Sequence, residues 1–215
     1  SRVLRGLTII SLVLFVLTGQ SWGAALKIDK VNCSKRETIT DALQKAKGQP
    51  VMIEVEGVCS ENVDISQDDV TLVSSPSLGG MINSPDPSQN AITINGSRIV
   101  INGLAVKGGR NGIKVQGNAT IKNTNIRNAG RNGILFYGQS VVDNCTIQNN
   151  SRHGIAVEGG TVTVTGSNIS SNSKCGILLS LASSGRIGID GEGEYNGNMI
   201  AHNGIGIFIS FGAGA

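Results

Sequence analysis

Four short runs, Asn111-Gly-Ile-Lys-Val115, Asn132-Gly-Ile-Leu-Phe136, His153-Gly-Ile-Ala-Val157 and Cys175-Gly-Ile-Leu-Leu179, recur about every 21 residues. A period of that size leaves little choice of architecture, because a unit so short cannot bury an apolar face alone and must stack on its neighbours. Aligning the runs puts Ile92, Ile113, Ile134, Ile155, Ile177 and Ile205 in one column, with Ile94, Val115, Phe136, Val157, Leu179 and Ile207 two residues further on. A second register follows: Ile101, Ile121, Val142 and Val164; then Leu104, Thr124, Cys145 and Ser167; then Val106, Ile126, Ile147 and Ile169. Three short strands per unit, each parallel to its equivalent in the next, predict an all-β, three-sided prism.

Turn chemistry supports the same reading. Asn123 and Asn144 occupy turn positions where Gly103 and Gly166 stand in neighbouring units. Asn and Gly interchange where the backbone is left-handed, so a tight bend and a ladder of side-chain amides are expected there. The sequons at Asn95, Asn118, Asn144, Asn149 and Asn168 read as by-products of this Asn-rich turn chemistry. The segment from Ser74 to Asn90, with three prolines and Gly79-Gly80, is expected to leave the stack as a loop.

The N-terminus has a different character. Arg2 and Arg5 precede an apolar run from Leu7 to Leu17 and the small residues Gly23, Ala24 and Ala25. This order describes a secretory signal peptide cleaved near Ala25, with an uncleaved anchor as the alternative. Its removal takes the formal charge from +3 to +1, and aromatics are 3% of the chain, so nucleic-acid binding is not expected, nor membrane association after cleavage. Ile39, Ala42, Leu43 and Ala46 fall at helical spacing before Gly48, a short amphipathic helix suited to capping the first coil. Secretion permits disulfides, and Cys33 is expected to pair with Cys59. Cys145 falls in an apolar column and Cys175 in a turn. The expected organisation is a signal peptide over 1–25, a cap over 26–50 and the solenoid over 51–215, cut short at its C-terminal end.

Together the Asn-Gly-Ile strands, the capping segment and the phrase Gly57-Val-Cys-Ser-Glu-Asn-Val63 resemble single-stranded right-handed parallel β-helix proteins of the pectin-lyase-like superfamily. That superfamily holds polysaccharide lyases, hydrolases, esterases and epimerases beside non-enzymatic adhesins, so the resemblance does not choose a reaction; the signal peptide sets the expected location, extracellular or periplasmic. Of the polygalacturonase motifs the chain keeps His153-Gly154 alone. Asp86-Pro87 continues as Ser88-Gln89 where alginate-active members have His-Asp.

The residues just before the repeated turns are Arg110, Arg131, Arg152 and Lys174, with His202 as the expected last member. Stacked at about 4.8 Å they would form a basic ridge suited to the carboxylates of an acidic polysaccharide. A solvated turn whose long side chains splay apart is the competing reading. If the chain is lyase- or epimerase-like, Arg131 or Arg152 is the candidate base, with His153 a weaker acid–base candidate and calcium the expected charge-neutralising ion. Asp190, Glu192 and Glu194 in a Gly-rich insertion are the candidate calcium ligands. The alternative is a non-catalytic structural or adhesive module.

Overall fold

Alternating apolar residues settle the interior. The computed structural model describes residues 26–189 and 192–210. The predicted signal peptide therefore lies outside the described residues, as does Asp190. Seven strands form one face, here face C: Val63–Ile65, Ile92–Ile94, Ile113–Val115, Ile134–Phe136, Ile155–Glu158, Cys175–Ser180 and Ile205–Ser210. The other two faces are continuous through the long strand Val51–Cys59. Its first half pairs with Val70–Ser74 on face A and its second half with Gly80–Asn83 on face B. Gly57, with φ 80°, makes the bend between the two halves.

Face A continues through Ile99–Asn102, Ala119–Lys122, Gln139–Asp143, Thr161–Thr165 and Ser184–Ile187. Face B continues through Ala105–Lys107, Asn125–Arg127, Thr146–Gln148, Asn168–Ser170 and Met199–Ala201. Equivalent strands pair in parallel, and the expected columns close the interior: Ile113, Ile134, Ile155, Ile121, Val142, Ile126 and Ile147 are all fully buried. Each such side chain contributes about 1.5–3 kcal/mol. The chain is thus a single-stranded right-handed parallel β-helix with one short α-helix among the described residues.

The glycine of each Asn-Gly-Ile run is required by close packing. A Cβ on Gly133 would lie 2.6 Å from Ile147 Cγ2 and 2.7 Å from the Gly154 carbonyl oxygen, and Gly112, Gly154 and Gly176 meet equivalent contacts.

The N-terminal end is closed by the strand Lys27–Asn32, paired with Val51–Cys59, and by the helix Ile39–Ala46. Ile39, Ala42, Leu43 and Ala46 are its buried residues. Thr38 caps its N-terminus, and Glu61, on the first coil, accepts from Ile39 N (2.8 Å) and Thr40 N (3.1 Å). Cys33 and Cys59 are joined, with Cα atoms 5.0 Å apart. No helix among the described residues is long and apolar enough to cross a membrane.

Three local expectations need correction. The segment from Ser74 to Asn90 is not one loop, because Gly80–Asn83 is a regular face-B strand between Gly57–Cys59 and Ala105–Lys107; the chain leaves the stack at Ser84. Cys175 is the buried first residue of a strand rather than part of a turn. In the last coil Ile177 pairs with Ile207 and Leu179 with Ile209, so Ile205 and Ile207 sit two positions off their expected columns. The cause is a coil of different length: side-chain ladders link residues 21 or 22 apart in earlier coils, but Asn172 and Asn203 are 31 apart.

Candidate functional site

The corner between faces B and C is built the same way in successive coils. From Ala105–Lys107 onward a left-handed residue follows each face-B strand: Gly108, Asn128, Asn149, Ser171 and His202, with φ of 79°, 59°, 57°, 56° and 56°. His202 therefore belongs to this column and not to the basic ridge. Since Cys175 pairs with Ile205, the position after Lys174 in the ridge is held by Gly204.

Buried amides lock the corner. Asn150 Oδ1 accepts from Ala129 N (2.9 Å), and Asn172 Oδ1 accepts from Asn150 N (3.1 Å) and Nδ2 (2.9 Å). One position before each close-packed glycine, Asn111 donates through Nδ2 to Asn90 Oδ1 (2.8 Å) and accepts from Asn132 N (3.2 Å). The ridge backbone is stacked as well: Arg152 N donates to Arg131 O (2.8 Å) and Lys174 N to Arg152 O (2.7 Å).

From this rigid base four cations project. Arg110 and Lys174 are exposed, while Arg131 and Arg152 are half-buried. The ion pairs of Lys27, Lys30 and Arg98 lie away from the ridge, and among the described residues no ridge cation has a carboxylate within ion-pair distance. Beside it, on the outside of face C, lies a pocket of about 160 Å³ to which Ser88, Asn90, Arg110, Lys114, Arg131 and Tyr137 contribute. Lys114 Nζ sits 5.5 Å from the centroid of the Tyr137 ring, a cation–π distance. Burial and then Glu158 raise the Tyr137 phenol, with Arg131 and Arg110 opposing, which keeps it protonated near neutrality.

The chain between Ser84 and Ala91 walls this pocket. Asn62 Nδ2 holds it by donating to Ser84 Oγ (2.7 Å) and Asn90 O (2.8 Å). Asp86 organises its tip, accepting from Ser88 Oγ (2.7 Å), Ser88 N (2.8 Å) and Gln89 Nε2 (2.9 Å); these bonds, the Ser88 hydroxyl first, hold its carboxyl below the usual range.

His153 is buried in the column of Asn111 and Asn132, with its Nδ1 accepting from Cys175 N at 3.2 Å. Burial, then Arg152 and Lys174, push its pKa down to about 4. It is therefore neutral near pH 7, with the Nδ1 lone pair committed to the turn as the Asn111 amide oxygen is two coils earlier. That arrangement caps a turn and does not suit the acid–base role considered for it.

The insertion lies elsewhere. Its described residues, 188–189 and 192–198, occupy the corner between faces A and B, anchored by the Ile189–Tyr195 bridge and by bonds of Asn196 to Gly188 and Gly166. The structure thus does not bring Glu192 and Glu194 to the ridge, and both are already engaged by other groups of the chain. The described residues hold one set of three potential ligands close enough for a metal, Cys33, Cys59 and Glu61; there the thiols are spent on the disulfide and Glu61 on the helix N-terminus.

Lys114 and Tyr137 escape a reading from sequence. Alternation marks both as outward, since Lys114 follows Ile113 and Tyr137 follows Phe136, but not that they meet across coils beside Arg110 and Arg131.

No curated protein matches this sequence. Among solved structures, the crystal structure of pectate lyase Pel9A aligns with a TM-score of 0.56 and 13% identity, over 84% of this chain and 62% of that one. The chain spans less than two thirds of that protein, and the likeness is one of fold. A family model described as the right handed beta helix region matches residues 89–215. With most of the chain inside that match and the described coils stacked in parallel, this protein belongs to the right-handed β-helix family.

Proposed function

We propose that this β-helix protein binds an acidic polysaccharide along the corner between faces B and C. The observation that carries the reading is the ridge of Arg110, Arg131, Arg152 and Lys174, aligned in register beside a walled pocket and without acidic partners among the described residues. Guanidinium groups grip carboxylates through two parallel hydrogen bonds. Tyr137 offers a ring face to a sugar, while Lys114 adds a cation next to it. Coils about 4.8 Å apart repeat the arrangement on the scale of a sugar ring.

In this reading residues 1–25 direct secretion, 26–50 cap the stack and 51–215 form the binding solenoid. The protein acts outside the cell or in a periplasm, where such polymers are met. Were the bound chain also cleaved or epimerised, Arg131 and Arg152 would be the groups nearest its carboxylate-bearing carbons. A non-catalytic adhesive role uses the same surface without that step.

Calorimetric titration of the mature chain with polygalacturonate and with alginate tests the proposal. Binding to at least one of them, weakened at least tenfold in the Arg131→Ala/Arg152→Ala double variant and by raised salt, is expected. Unchanged affinity in the double variant would overturn it. Following the absorbance of unsaturated products in the same mixtures separates a lyase from a binder.

A further inference from the structure

A second surface, on the opposite side of the solenoid from the ridge, has the form of a binding trough. Two adjoining concavities of about 450 and 640 Å³ lie on the outside of face A. They share Thr120, Gln139, Val141, Thr161 and Thr163, so they form one depression crossing several coils along the helix axis. Register makes its floor regular: Val100, Thr120, Val141, Thr163 and Arg186 stack in one outward column. Val141, at the middle, is 36% exposed.

The insertion that does not reach the basic ridge reaches this trough. Asn196 lines it, and the adjacent Tyr195 is 87% exposed. Insertions in a solenoid tend to mark the face that binds, and an exposed aromatic at such a rim offers a stacking surface.

The chemistry of the lining selects the ligand. Charge on this face is balanced. Arg98 is held by Asp69 through Nε (2.6 Å) and Nη2 (2.7 Å) and by Asp68 (3.4 Å), and the remaining cations Lys122 and Arg186 share the trough with Asp143. An anionic polymer finds no ridge of unpaired cations here. A peptide strand finds no free edge, because the backbone of the floor strands is spent in the parallel ladder. What the floor offers is threonine hydroxyls and the amides of Gln139 and Asn196, groups that both donate and accept, interleaved with valine methyls. The geometry points to a neutral, linear polysaccharide lying along the helix axis in this trough. The protein then carries two glycan surfaces of different charge on different faces.

Electrophoresis of the mature protein in native gels containing a neutral glycan (xyloglucan, galactomannan or hydroxyethylcellulose) or polygalacturonate tests this independently of the ridge. Retardation is expected in at least one neutral gel. Val141→Arg, an outward substitution that fills the floor, reduces the retention at least fivefold, and Thr120→Arg, one coil away, does the same if Val141→Arg melts early. Arg131→Ala/Arg152→Ala leaves neutral-glycan retention unchanged. Absence of retardation in all three neutral gels, or retention undiminished in both floor variants, would overturn the inference whatever happens with polygalacturonate.

Discussion

Two corners of this solenoid use the same backbone device for different ends. Between faces A and B, Asn123 and Asn144 take φ of 52° and 50°, and the amides face one another: Asn144 Nδ2 donates to Asn123 Oδ1 (2.7 Å) and Asn123 Nδ2 to Asn102 Oδ1 (2.8 Å). Between faces B and C, Asn128 and Asn149 make the left-handed bend, while the amide ladder runs inside through the buried Asn150 and Asn172 to the half-buried Asn203. The first corner satisfies its own exposed polar groups. The second satisfies its backbone inside and turns four cations outward. Repetition alone therefore does not mark a functional column; what marks it is a stacked group left without a partner.

The comparison can be broken at the shared scaffold first, where the largest effect is expected. Gly133→Ala forces a Cβ against Ile147 and the Gly154 carbonyl, and should cost about 3 kcal/mol in denaturant unfolding. A cost below 1 kcal/mol would mean that close packing does not set the Asn-Gly-Ile repeat. At the self-satisfied corner, Asn123→Ala loses both tolerance for positive φ and its ladder bonds, about 2 kcal/mol in all. Asn123→Gly, the residue found at positions 103 and 166, should recover the backbone share of that loss.

At the cationic corner the sign reverses. Removing Arg131 relieves like-charge repulsion worth about 1 kcal/mol per stacked pair at most, so Arg131→Ala should leave the unfolding midpoint equal or slightly higher in low salt. Marked destabilisation would make the ridge structural. The remaining effect depends on pH and concerns His153. With its pKa at about 4 in the fold against an ordinary 6.5, the folded chain binds fewer protons than the unfolded chain between those values. Its contribution to stability is full above the ordinary value and is lost as pH falls towards 4. His153→Asn, which restores the residue of positions 111 and 132, should flatten that part of the midpoint-versus-pH curve while keeping the turn bond.

The stack was legible wherever the period held at 21 or 22 residues, because the inward columns between Ile92 and Leu179 could be placed by counting. The left-handed Asn bends, the amide ladder and the buried helix face followed from local chemistry. Counting failed in the last coil. There an insertion and a shortened turn change the spacing to 31, which moved Ile205 and Ile207 off their columns and put His202 into a ridge it does not join. It failed also at Gly80–Asn83, where proline and glycine outweighed a three-residue apolar pattern. The ridge could be read from sequence, but not the pocket beside it. Which outward side chains meet across coils depends on lateral register and on the path of the wall between Ser84 and Ala91, and neither is periodic.

The most direct test of the central claim is arginine-specific labelling with phenylglyoxal, read by mass spectrometry with and without saturating polygalacturonate. Ligand should protect Arg110, Arg131 and Arg152 at the B–C corner and leave Arg186 on face A as reactive as before. Equal protection of all four, or binding with no protection at the ridge, would contradict the account.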